Sequence, residues 1–87
     1  MLCESQLRSD IRRFVIDELL MGDTSVVLRD EASFLETGTI DSTGVLEVVM
    51  FLESEFGLTV LDRELVPENL DSVDRLVCFV MRKKHAA

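Results

Sequence analysis

Three stretches of this chain repeat apolar residues at three- and four-residue steps, and that period restricts the fold to packed helices. The first runs from about Glu4 to Leu20, with Leu7, Ile11, Phe14, Val15 and Leu19 on one face and Arg8, Arg12, Arg13 and Asp17 opposite. The second follows Asp41, Ser42 and Thr43, all competent to cap a helix, and carries Val45, Val48, Val49, Leu52 and Phe56. The third is capped by Asp71 or Ser72 and turns Val73, Leu76, Val77 and Val80 inward. Gly22 suits a left-handed cap after the first, and Gly57 closes the second. Arg82, Lys83 and Lys84 suit the negative end of the third helix's dipole. A short helical turn is expected near Asp62 to Val66, ended by Pro67. The expectation is an all-α fold. It is a small four-helix bundle, three longer helices plus one short, with a long loop between the first and second helices.

That loop, from Asp23 to Ile40, is long for a compact domain, so it is expected to be functional or held by its own side chains. Val26, Val27, Leu28, Phe34, Leu35 and Ile40 are the candidates to drop into the core, with Gly38-Thr39 forming a turn. Eighty-seven residues suffice for one domain, read as 1–87 with frayed ends at about 1–3 and 84–87. A chain of this size encloses little, so an activity carried on the surface is favoured over a deep site.

Charge narrows the function. Seventeen acidic residues against nine basic give a net charge of −8. Phosphate contacts need Lys or Arg, so nucleic acid is a poor partner, and an anionic membrane surface repels the chain. Basic protein surfaces are the natural counterpart. Between Asp41 and Asp74 nine residues are acidic and only Arg63 is basic, which concentrates the negative charge. Cys3 and Cys78 are too few for a disulfide scaffold. With His85 as the sole histidine, a zinc site is not expected, and no stretch has the spacing of a calcium loop. The longest apolar run, Leu76 to Met81, falls far short of the ~20 residues of a membrane span. No signal peptide is visible at Met1-Leu2-Cys3-Glu4-Ser5, so a cytoplasmic monomer with reduced thiols is the expectation.

Ser42 is the residue that can carry chemistry. It stands where the long loop enters the second helix, so its hydroxyl is expected to be exposed at the positive end of the helix dipole, where a phosphodiester is tolerated. Local sequence alone favours Ser42 as nothing more than the helix cap, because Ser and Asp lead the cap preferences. A hydrolytic nucleophile is disfavoured, because serine needs a base and His85 lies in the C-terminal tail. Leu46 and Met50 lie four apart, off the main stripe, with Glu47, Glu53 and Glu55 around them. They read either as a docking strip for a basic, apolar partner or as a second core face. Glu64, Glu68, Asp71 and Asp74 read as a solvated face, Cys78 as a buried or half-buried small hydrophobe and Cys3 as idle.

The stretch from Phe34 through Gly38-Thr39-Ile40-Asp41-Ser42-Thr43-Gly44 to Glu47 resembles the prosthetic-group site of acyl carrier proteins. Val48 to Gly57 resembles the remainder of that family's recognition helix, and the likeness extends over nearly the whole chain. It implies that Ser42 bears a 4′-phosphopantetheine arm taken from coenzyme A, whose thiol holds acyl or aminoacyl groups as thioesters. It implies Asp41 as the acidic neighbour read by a phosphopantetheinyl transferase, and Leu46, Glu47, Met50 and Glu53 as partner contacts. The implied partners are that transferase, an adenylate-forming ligase or acyltransferase, and downstream biosynthetic enzymes with basic docking surfaces, as in fatty-acid, polyketide or nonribosomal peptide synthesis. Many family members have a bulky aliphatic residue where this chain has Thr43. With Gly44 next, a more polar and more flexible helix start is expected, in keeping with a specialised, free-standing carrier. The rival reading, from another class, is an acidic helical adaptor that docks a basic protein and bears no prosthetic group.

Overall fold

A computed structural model describes residues 3–22, 28–38 and 40–86, without the side chains of 42, 85 and 86. Within these residues the fold is all-α. Helix α1 spans Glu4–Phe14 and runs into a π-helical turn, Val15–Leu19. Helix α2 is Phe34–Thr37, α3 is Ser42–Phe56, α4 is Pro67–Leu70 and α5 is Val73–Ala86. A 3₁₀ turn, Asp62–Glu64, precedes α4. The three long helices are those the apolar periods specify.

The π turn closes with a bond from the Leu20 N–H to the Val15 carbonyl, 2.9 Å. The helix then stops because Met21 and Gly22 both turn left-handed, at φ 53° and 76°, and the Gly22 N–H reaches back to the Ile16 carbonyl at 2.8 Å. Gly57, at φ 65°, ends α3 in the same way. Pro67 departs from expectation. It begins α4 at the first helical position instead of ending a turn, where its missing N–H costs no hydrogen bond.

The core gathers Leu7, Ile11 and Val15 of the first helical segment, Val48, Val49 and Leu52 of α3, and Leu70 of α4 with Val73, Leu76, Val77 and Val80 of α5. Phe79 is as deeply buried as these, although it lies beside the expected stripe. Phe14 stacks on Phe51 with ring centroids 4.1 Å apart, and Phe51 meets Phe56 edge-on at 5.7 Å, joining the end of α1 to α3. Phe56 is half-buried.

The loop is held by apolar anchors and by charge. Leu28, Phe34 and Ile40 are buried as expected, whereas Leu35 is exposed. Val26, Val27 and Thr39 lie outside the described residues. Arg8 binds Asp30 and Asp74, and Arg12 binds Asp30 and, at 2.9 Å, the Leu28 carbonyl. The hydrogen bond to Asp74, with that to Asp30, holds the Arg8 guanidinium above its ordinary pKa. The Asp74 N–H donates to the Asp30 carbonyl at 2.9 Å. At the other end of the loop Ser33 caps α2, accepting the Glu36 N–H at 3.1 Å, and its hydroxyl donates to Asp71. Asp71 also accepts the Leu35 N–H at 3.1 Å, while its carbonyl accepts the Phe34 N–H at 2.7 Å.

These bonds correct the reading of a solvated acidic face. Asp71 and Asp74 tie the loop to the start of α5, and Glu64 pairs with Lys83 at 2.8 Å. Glu68 is exposed. Ser72, not Asp71, caps α5, accepting the Arg75 N–H at 3.1 Å. Cys78 is exposed, not buried or half-buried, because it lies on the flank of α5 opposite the Val73–Val77–Val80 stripe; Cys3 is exposed too. No helix is long and apolar enough to cross a membrane among the described residues.

Candidate functional site

The junction between the loop and α3 is built from Gly38, Ile40, Asp41 and Ser42. Gly38 takes a left-handed φ of 74° and ends α2. Ile40 then dives into the core. Asp41 is extended, at φ −95° and ψ −176°, and its Oδ1 accepts the Gly44 N–H at 2.8 Å. Asp41 is therefore the cap of α3 and Ser42 its first helical residue, so the reading of Ser42 as the cap gives way. The first turn of a helix presents backbone N–H groups without intrahelical acceptors, which favours an anionic group there. Asp41 and Thr43, on either side of Ser42, are exposed. The Ser42 side chain is outside the described residues.

Gly44 overturns the expectation of a flexible helix start. A methyl group at its Cα would come within 2.6 Å of Ile40 Cγ2. The glycine lets the buried loop residue close onto α3, so the junction that carries Ser42 is a packed one.

Two open depressions flank this junction. One, of about 350 Å³, lies between the end of the first helical segment and the start of α3, and Glu18, Met21, Asp41, Thr43, Gly44 and Glu47 line it. The other, of about 180 Å³, is a mostly apolar groove of Leu35, Val45, Leu65, Val66, Pro67 and Leu70, with Asp71 as its one charged residue among those described. Farther along α3, Leu46 and Met50 are 55% and 68% exposed, which excludes the second core face. Glu47 is exposed on the same helix. Glu53 differs from it. It is half-buried, and its Oε2 accepts the Val60 N–H at 2.9 Å, which fixes the segment after α3.

Sequence reasoning missed one residue here and misplaced another. Met21 lines the acidic depression, and Leu35 lines the apolar groove instead of entering the core. The pattern Ser33-Phe34-Leu35-Glu36 is the S-x-x-E signature of a helix start and would have revealed α2, and with it the placement of Leu35. Among the described residues no group of three or more His, Cys, Asp and Glu side chains forms a candidate metal site.

The chain is 35% identical over 72 residues to a D-alanyl carrier protein of Streptococcus suis, covering 83% of this chain and 89% of that protein. It is 34% identical over 80 residues to an acyl carrier protein of Thermosynechococcus vestitus, covering 92% and 94% of the two chains. The crystal structure of an acyl carrier protein from Thermotoga maritima superposes with a TM-score of 0.66 at 33% identity, over 92% of this chain and 93% of that one. No family model matches.

Proposed function

This chain belongs to the acyl carrier protein family, and from that premise we propose that it bears a 4′-phosphopantetheine arm on Ser42 and is not itself an enzyme. The observation that carries the reading is the geometry of the junction. Ser42 opens a 15-residue helix between two exposed neighbours, with Asp41 already engaged as the cap. A phosphodiester on Ser42 meets the positive end of that helix.

The residues present fit the group. The apolar groove begins at Val45, one turn from Ser42, and Leu35, Val45, Val66 and Leu70 would offer it apolar contact. When attached, the arm supplies a thiol that holds an acyl or aminoacyl cargo as a thioester. A phosphopantetheinyl transferase installs it. The Ser42 oxygen forms a new bond to phosphorus, adenosine 3′,5′-bisphosphate leaves coenzyme A, and the hydroxyl proton passes to a base of the transferase. An adenylate-forming ligase or acyltransferase then loads the thiol, and downstream biosynthetic enzymes draw from it in the cytoplasm.

The protein's own contribution is to anchor the thiol and to be recognised. Tethering raises the effective concentration of the thioester at each docked enzyme. Exposed Leu46 and Met50 beside Glu47 offer apolar contact with negative charge, which suits fast, salt-sensitive and weak docking to a basic surface. Weak docking fits a monomer that must leave each enzyme in turn.

The test is intact mass after incubation with coenzyme A and a broad-specificity transferase. The wild type gains one phosphopantetheine and Ser42→Ala gains none. An unmodified wild type favours the cofactor-free adaptor instead.

A further inference from the structure

We propose that the end of the first helical segment, at Glu18 and Met21, is the second bank of the surface on which the modifying transferase docks. This deepens the reading above and rests on it. Met21 is 88% exposed, the most exposed of the large hydrophobic side chains described. It is also the one non-glycine residue among the described ones with a positive φ, 53°. Left-handed backbone costs a residue with a β-carbon about 1–2 kcal/mol. Neither the exposure nor the conformation contributes to the core, and glycine or asparagine would satisfy the turn more cheaply. The fold therefore gives no account of a methionine here, whereas a contact with another protein does.

The position says which protein. Met21 and Glu18 form one wall of the 350 Å³ depression, and Asp41, Thr43 and Glu47 are on the other. Asp41 and Thr43 are the immediate neighbours of Ser42. An enzyme that joins a phosphoryl group to Ser42 must bring its reacting groups within bonding distance of that residue, so it covers this depression. Enzymes that act later dock on α3 as well, but they react at the far end of the arm and need not cover the ground beside Ser42 itself. Among the described residues three carboxylates, Glu18, Asp41 and Glu47, line the depression and no Lys or Arg does. The matching surface is an apolar pocket for a thioether, rimmed by Lys or Arg.

The experiment follows holo formation by intact mass, with coenzyme A and a broad-specificity phosphopantetheinyl transferase, across a range of carrier concentrations. Met21→Gly and Met21→Asn accept the left-handed backbone, so both keep or raise the melting temperature. Each raises the KM for the carrier about three- to tenfold, the loss of part of a buried methionine, with kcat unchanged. Glu18→Gln raises KM at low salt and reduces its salt dependence. A wild type that is modified, with KM unchanged in both Met21 variants and in Glu18→Gln, overturns the second bank and leaves the carrier reading standing. A wild type that gains no mass overturns the carrier reading itself.

Discussion

Asp41 performs one structural task and is assigned a second, and two substitutions separate them. Its Oδ1 accepts the Gly44 N–H at 2.8 Å. Asp41→Ala removes that bond and leaves an unpaired donor at the start of α3, a loss of about 1 kcal/mol within a usual span of 0.5–2. For a domain of this size 1 kcal/mol lowers the melting temperature by about 4–8 °C. Asp41→Asn keeps a cap acceptor of nearly equal quality and loses only the interaction of an exposed charge with the helix dipole, about 0.3 kcal/mol at the low end of that effect. The expected shift is then about 1–2 °C. The assay pairs thermal melts followed by circular dichroism with the rate of phosphopantetheine transfer. If the transferase reads the carboxylate, both variants are modified slowly although only the alanine variant melts early. An alanine variant that melts with the wild type refutes the capping argument. An asparagine variant modified at the wild-type rate refutes the reading of the charge.

Gly44→Ala tests the packed junction. Alanine gains about 1 kcal/mol of helix propensity, but its methyl group falls 2.6 Å from Ile40 Cγ2, and overpacking of this kind costs about 1–3 kcal/mol. The variant is expected to be less stable than wild type in urea denaturation, and a raised midpoint would remove the close contact from the account. Glu64 governs part of the acid limb. Its hydrogen bond from Lys83, with that from the Leu61 N–H, holds its carboxyl below the ordinary glutamate range. A depressed carboxyl contributes stability above its unfolded pKa of about 4.3 and loses it as the pH falls through the folded value. The stability gap between wild type and Glu64→Gln is therefore expected at pH 7 and is expected to narrow as the pH falls below the ordinary glutamate range; a gap that stays the same size throughout would show that the ion pair is not its source.

Local pattern was legible in the sequence, and distant pairing was not. The stripes of α1, α3 and α5 and the stops at Gly22 and Gly57 follow from periods and from glycine chemistry that act within a few residues. Phe34 and Ile40 were legible as apolar residues in a loop with nothing else to hold it. Phe79 was not. It stands three residues after Leu76, and only the helices packed around α5 decide how wide the buried stripe is. The bonds of Asp71 to Ser33 and of Arg8 to Asp74 span 38 and 66 residues, and no spacing rule reaches that far. At the candidate site Ser42 stood out as a hydroxyl at a helix start, and its part as attachment residue came from resemblance alone. Asp41 was marked for its charge, yet its most direct structural task is to cap α3. Met21 went unremarked because a methionine beside a glycine at a helix end carries no signal until its φ is known.

Asp71 lines the apolar groove and holds Ser33 and Leu35 to the chain that enters α5, beside Leu70 of the same groove. One carboxylate thus ties a loop, the lining of a groove and the approach to α5 into a single joint, so a change at Asp71 reaches all three at once.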